Sequence, residues 1–294
     1  SLLRLRATIV RYFSQHKPDV FIGVDAPDFN FIIEKKLKKQ GVKTVHFISP
    51  SVWAWRQSRV KKIKQSSDLI LCLFPFEADF YARHNQRAVF VGHPLAEKLT
   101  PREGHTPSRE ILLMPGSRSS EVKRLLPELL LAAKIMAKKD AGLTFHLTLA
   151  NNESLEWARA LVGDQVIEIS VDQSHVRMQQ ADLVLVASGT AALELALVGV
   201  PMVVVYKLST ISYFIASRLV KSQFISLPNI IANKSLVPEL IQNKANAENI
   251  ATQALTILAS DQSKLTAEFK KIHQQLNLGA SQKAAKIITE FINE

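Results

Sequence analysis

The sequence predicts an α/β fold built as two open, parallel-sheet domains in series. Short apolar runs of strand type alternate with segments of helical spacing, which argues for βαβ units rather than hairpins. The alternation breaks once, over 97–110, and then restarts. The chain has 294 residues, 47% of them hydrophobic, enough for two cores at roughly 100–200 residues per domain.

DVFIGV (19–24) is a β-rich run that ends at Asp25. FIIEKKLKKQ (31–40) spaces Ile32, Ile33 and Leu37 as a helix does and stops at Gly41. TVHFIS (44–49) is the next strand, 56–65 a basic helix, and DLILCLF (68–74) a buried strand. FEADFYARH reads as helix and AVFVG (88–92) as strand. EKLTPREGHTPSRE (97–110), with two prolines and a glycine, marks the domain boundary. ILLMP then gives a strand and ELLLAAKIMAKK a helix, with Pro127 expected in its first turn, where a missing N–H is harmless. TFHLTLA, VIEIS, DLVLVAS and PMVVVY are strands, and TAALELALV is a helix. These readings divide the chain into domains at 1–100 and 101–260 and a helical tail at 261–294. The tail has two candidate partners, the N-terminal domain or a second copy of the chain in a homodimer.

Composition narrows the function. Charged residues make up 21% and no long polar tract suggests disorder. The single cysteine, Cys72, lies inside an apolar run, so it forms no disulfide within the chain and fits a reducing compartment. The strongest membrane candidate, 183–206, has the length of a spanning helix, but Ser188-Gly189-Thr190, Glu194 and Gly199-Val200-Pro201 interrupt it. Strand, turn, helix, turn, strand is the better reading. The net charge of +11 calls for an anionic partner: nucleic acid, a membrane surface or a phosphorylated substrate. Basic residues cluster at Lys35, Lys36, Lys38, Lys39 and Lys43 and again at Arg56, Arg59, Lys61, Lys62 and Lys64. They are not interleaved with aromatics as a single-strand stacking groove requires, so nucleic-acid binding rests on charge alone. None of the eight histidines has metal-ligand spacing, and no metal site is expected.

Ligands of open α/β sheets bind beyond the carboxyl ends of the strands. That rule selects Asp25, Gly116–Arg118 and Ser188–Thr190. Gly116 lets backbone approach a ligand, Ser117 offers a hydroxyl, and Arg118 a planar fork suited to phosphate oxygens. Ser188-Gly189-Thr190 turns a strand into a helix, whose free N–H groups and dipole favour an anion. Glu194, one turn on among apolar neighbours, can accept two hydrogen bonds from a diol such as a ribose. Asp25 can act as a general base; Asp28 is the other candidate, and Asp25 is preferred as the first residue past the strand. SPSVWAWRQSR (49–59) presents Trp53, Trp55 and Arg56, which fit either a core or a groove for a lipidic group and its phosphate.

GVDAPDFN, SPSVWAWR, PFE (75–77), VGHPLAE, MPGSRSSEVKRLLP, ASGTAALELALVGVPMVVVYK and SLPNIIA (226–232) run in an order and spacing that resembles the lipid-A-disaccharide synthase family, and the resemblance covers nearly the whole chain. It implies the two-domain glycosyltransferase B fold. It also implies an inverting transfer of sugar from UDP-2,3-diacylglucosamine to 2,3-diacylglucosamine 1-phosphate, giving lipid A disaccharide phosphate and UDP. By position, Asp25 matches the base, Arg118 with Gly116 and Ser117 the diphosphate site, and Ser188, Gly189 and Thr190 the backbone donors to the leaving UDP. Glu194 matches the ribose ligand, and Asn229 is expected to line the same cleft. Neither cofactor nor metal is implied. A cytoplasmic enzyme, peripheral on the anionic inner face of the bacterial inner membrane, is, and it gives the positive charge a reading without nucleic acid. The family begins with a strand and a Gly/Glu/Ser/Gly/Asp loop that this sequence lacks, so an incomplete N-terminal domain is expected. The alternative is an inactive UDP-binding fragment of such an enzyme. A nucleotide-sugar epimerase of the same fold is a near alternative that needs no acyl chains.

Overall fold

A computed structural model describes residues 1–55, 57–209, 213 and 222–294. These form two compact units: Ser1–Lys98 with Gln275–Glu294, and the described residues from Leu99 to Gln274. Within the expected tail, the division falls at 275 rather than 261.

The first unit runs α1 (Leu2–Gln15), β1 (Val20–Val24), α2 (Pro27–Lys38), β2 (Lys43–Phe47), α3 (Val60–Ser66), β3 (Leu69–Cys72), α4 (Pro75–Ala82), β4 (Ala88–Phe90) and α5 (Pro94–Lys98). Its sheet is parallel throughout, in the order β1-β2-β3-β4. All four residues of β3 are buried, as expected of a strand covered on both faces. Leu69 and Leu71 pack with Val45 and with Ala280, Ala284 and Phe291 of the C-terminal helix Ala280–Asn293. Ile70 and Cys72 face the other way, onto Ile63, Phe80 and Tyr81.

Helix α2 starts at Pro27, earlier than expected, because Pro27 is preorganised for the first helical position. It is tied to β2 by a buried carboxylate. Glu34 bonds His46 Nδ1 at 2.7 Å and accepts from Ser67 Oγ, all within the core. Any side chain at Gly23 would occupy the place of the Glu34 carboxylate.

The second unit runs β5 (Glu110–Met114), α6 (Ser119–Lys139), β6 (Thr144–Leu149), α7 (Leu155–Val162), β7 (Ile167–Val171), α8 (Ser174–Gln180), β8 (Leu183–Ala187), α9 (Thr190–Val198), β9 (Met202–Tyr206), α10 (Leu227–Ala232), β10 (Glu239–Ile241) and α11 (Ala247–Leu258). Its parallel sheet has the order β10-β9-β8-β5-β6-β7. The chain enters at β5, moves outward through β6 and β7, then returns to the other side of β5 as β8. The topological switch point therefore lies between β5 and β8. The apolar stretch 183–206 is β8, α9 and β9, and among the described residues no helix is long and apolar enough to cross a membrane.

Two expectations need correction. Helix α6 begins at Ser119, so Pro127 lies inside it rather than in its first turn. Pro127 is exposed, so water can satisfy the carbonyl that loses its partner. The consequence is functional: the start of α6 abuts Gly116–Arg118. Strand β10 is three residues long and was not read as a strand, being too short for a periodic signal.

Candidate functional site

A cavity of about 360 Å³ opens beyond the carboxyl ends of β5, β6 and β8, at the switch point of the second unit. That volume falls in the range of roughly 300–1,000 Å³ usual for ligand pockets. It brings together Gly116, Ser117, Arg118, Ser188, Gly189, Thr190 and Glu194. The first turns of α6 and α9 both contribute lining residues, so the positive ends of two helices lie at it; the Glu121 N–H of α6 is already given to Arg118 O at 2.8 Å, whereas Thr190 and Ala191 open α9. Gly116 has φ +112, and a Cβ there would lie 2.7 Å from Glu121 Oε2. Only glycine fits.

The polar groups differ in readiness. Arg118 is exposed and donates through Nη1 to Glu121 Oε1 at 2.7 Å, using one of five donors. Glu194 makes no hydrogen bond or ion pair among the described residues, and burial raises its carboxyl above the usual range, with His175 opposing. A half-buried carboxylate without a donor is suited to a ligand's hydroxyls. The Ser188 N–H is already given to Val205 O at 2.9 Å, which corrects its expected role; the free donors begin at Gly189 and Thr190. Asn229 is also corrected. It is fully buried, its Nδ2 donates to Val237 O (3.0 Å) and Glu239 Oε1 (2.8 Å), and its Oδ1 accepts from the N–H groups of Leu236 (2.8 Å) and Val237 (3.0 Å). No capacity is left for a ligand.

Three residues of this region were not read from the sequence. Glu121 lines the cavity and holds Arg118. Thr148, near the end of β6, lines it with a buried hydroxyl that has no partner among the described residues. Tyr206 ends β9, and its hydroxyl is held above the usual range by burial, with Glu121 raising it and Arg118 lowering it.

In the first unit Asp25 stands exposed at the end of β1. Asp25 and Ala26 have φ +49 and +42, left-handed values that cost roughly 1–2 kcal/mol per ordinary residue. The turn is held by Asn30, whose Nδ2 donates to Val24 O at 3.1 Å and Asp25 O at 2.8 Å. The two candidate carboxylates now separate: Asp28 is paired with Arg59, whereas the Asp25 side chain makes no hydrogen bond or ion pair among the described residues.

Of the expected lipid contacts, Arg56 lies outside the described residues. Trp53 is partly buried and packs against the core cluster, its ring edge-on to Phe76 at 4.7 Å, in keeping with the core alternative of the two. Trp55 is 36% exposed. The Trp53 loop is anchored by Glu77 of the PFE stretch. That buried carboxyl accepts the N–H groups of Leu73 (3.2 Å) and Phe74 (3.1 Å), and the side chains of Ser49 and Trp53 also favour its charged form. Burial outweighs these bonds and pushes it from an ordinary 4.5 up to about 8. Between those values the folded chain keeps a proton that the unfolded chain has released. Stability from this group is therefore complete below 4.5 and lost as pH rises through about 8. Relative to the parent, Glu77→Gln is expected to gain melting temperature steadily across that window. An offset independent of pH would show the carboxyl ionised throughout.

The family model described as Lipid-A-disaccharide synthetase matches residues 1–291. The chain belongs to that family. A lipid-A-disaccharide synthase of Colwellia psychrerythraea is 44% identical over 306 residues, covering 99% of this chain and 78% of the relative. One from Pseudomonas putida is 43% identical, covering 100% of this chain and 81% of the relative. Membership makes the chain a hexosyltransferase of lipid A biosynthesis. Solved structures share the fold at low identity. The S. aureus MnaA–UDP co-structure has a TM-score of 0.67 at 12% identity, covering 100% of this chain and 79% of that one. The calicheamicin glycosyltransferase CalG4 has a TM-score of 0.61 at 15% identity, covering 98% and 78%. The chain thus has the glycosyltransferase B fold.

Proposed function

We propose that the chain transfers the sugar of UDP-2,3-diacylglucosamine to 2,3-diacylglucosamine 1-phosphate, with inversion, releasing UDP. The observation that carries this is the switch-point cavity, where two helix N-termini, Arg118 and Glu194, without a partner among the described residues, meet. The diphosphate lies against the N–H groups that open α9, near the positive end of α6, and takes a free arm of the Arg118 fork. Fixed donors of this kind stabilise the charge that grows on the leaving UDP. Glu194 accepts the ribose hydroxyls. Asp25 removes the proton of the acceptor hydroxyl as that oxygen attacks the anomeric carbon, so one displacement inverts the centre. The enzyme works from the cytoplasmic side as a peripheral protein on an anionic leaflet, where its acylated substrates reside.

The test is UDP release by the purified chain with both acylated substrates in detergent. Release that requires both supports the reading. UDP binding without release leaves a nucleotide-binding fragment, and no UDP binding removes the assignment. Arg118→Ala is expected to weaken UDP binding about 10- to 100-fold, the worth of a hydrogen bond to a charged group. Unchanged affinity in calorimetry would remove Arg118 from the site.

A further inference from the structure

Helices α2 and α3 enclose an open groove of about 680 Å³ in the first unit. Its lining includes the apolar side chains of Phe31, Ile32 and Ile63 and five cations: Lys35, Lys36, Lys39, Arg59 and Lys62. One carboxylate, Asp28, lines it, and Arg59 already holds it. Lys35 donates to Gln65 Oε1 at 2.7 Å. The ammonium groups of Lys36, Lys39 and Lys62 make no hydrogen bond or ion pair among the described residues. Three like charges gathered beside apolar surface, without counter-charges, contribute nothing to the fold. They fit an anionic ligand with an apolar part.

We propose that this groove seats the phosphate-bearing headgroups of an anionic lipid leaflet and is the surface by which the enzyme docks to its membrane. The proposal rests on the peripheral-enzyme reading and gives it a site. One end of the groove, Pro27 and Asp28, adjoins Asp25, but distance along the helix separates its lysines from an acceptor hydroxyl placed there. Lys35, Lys36 and Lys39 lie on and just beyond the last turns of α2, while Asp25 precedes its first. At 1.5 Å per residue, Pro27 to Lys39 spans about 18 Å. That is far more than one sugar ring, so an acceptor whose hydroxyl meets Asp25 cannot place its 1-phosphate among these lysines. Nucleic acid is disfavoured because the lining holds one aromatic among the described residues, the part-buried Phe31, set against the His46 ring with centroids 4.2 Å apart, where a single-strand groove stacks successive bases on several. Ile32 is 42% exposed and sits where an acyl–headgroup boundary would receive it.

Each lysine beside an anionic leaflet strengthens binding roughly five-fold. The experiment is partition of the full chain onto vesicles of phosphatidylcholine, with and without phosphatidylglycerol, at low and physiological salt. The parent is expected to bind the anionic vesicles and to lose affinity with salt. The combined variant Lys36→Gln, Lys39→Gln, Lys62→Gln is expected to lose about 100-fold. Lys134→Gln, Lys138→Gln, Lys139→Gln removes the same charge from α6 and should lose less than about five-fold. UDP affinity reports folding of each variant. Ile32→Ser should weaken binding a few-fold at every salt concentration. Equal binding by parent and groove variant would overturn the proposal, as would an equal loss in the α6 variant, which would show bulk charge alone. A raised acceptor KM in detergent for the groove variant would reassign the groove to the substrate. A parent that ignores anionic vesicles but binds nucleic acid would also overturn it. UDP release in detergent tests the catalytic reading separately, so failure of one is distinguishable from failure of the other.

Discussion

Asp25→Asn is expected to lower the rate of UDP release by about 10²–10⁴-fold, the usual contribution of a general base. UDP affinity and melting temperature should stay close to the parent. Asparagine is the right replacement because Asp25 sits at φ +49, a conformation that asparagine adopts readily and alanine does not. An alanine would mix loss of the base with strain in the turn. Asp28→Asn is the matched control: that carboxylate is 84% exposed at its side chain and held by Arg59, so its removal should change the rate only a few-fold. If Asp25→Asn retains a rate within about ten-fold of the parent, a base is not carried by this position. If Asp28→Asn loses more than Asp25→Asn, the roles are reversed.

The sheets were legible because central parallel strands are written as unbroken apolar runs. LILC in β3 and LVLVA in β8 are buried at every position and could hardly be read otherwise. Helix starts were less legible. Ser119, Ser120 and Arg124 resemble a loop, and Pro127 resembles a first-turn residue, yet α6 starts eight residues before that proline. The site followed the same division. Gly116, Arg118 and Thr190 follow strand ends within four residues, so the rule about carboxyl ends finds them, and Glu194 lies one turn into the helix that Thr190 opens. Thr148 lies inside the β6 pattern and becomes a cavity residue only because β6 flanks β5 in the sheet. Asn229 failed in the opposite sense. A polar residue after Leu-Pro suggests a loop ligand, and nothing local shows that its partners wait at 236–239.

Asn229→Ala should therefore act on stability rather than on binding. Its fully buried side chain joins α10 to the segment entering β10 through four hydrogen bonds, two buried and two part-buried. Removing it leaves the N–H groups of Leu236 and Val237 and the carbonyl of Val237 without their partner, and takes one donor from Glu239. Glu239 keeps the N–H groups of Ile225 and Ser226, both at 2.9 Å, so the carboxylate is not orphaned. A buried group left unpaired costs about 1–3 kcal/mol, and partial relaxation makes roughly 3–5 kcal/mol the expected loss. Against a total of about 5–15 kcal/mol that is a large fraction, readable as a fall in denaturant midpoint. The decisive readout is the response to UDP. A ligand that binds only the folded state stabilises by an amount set by its concentration and Kd. If Asn229 is a latch, UDP should raise the melting temperature of variant and parent by similar increments. A variant that melts like the parent alone, yet gains nothing from UDP, would return Asn229 to the ligand.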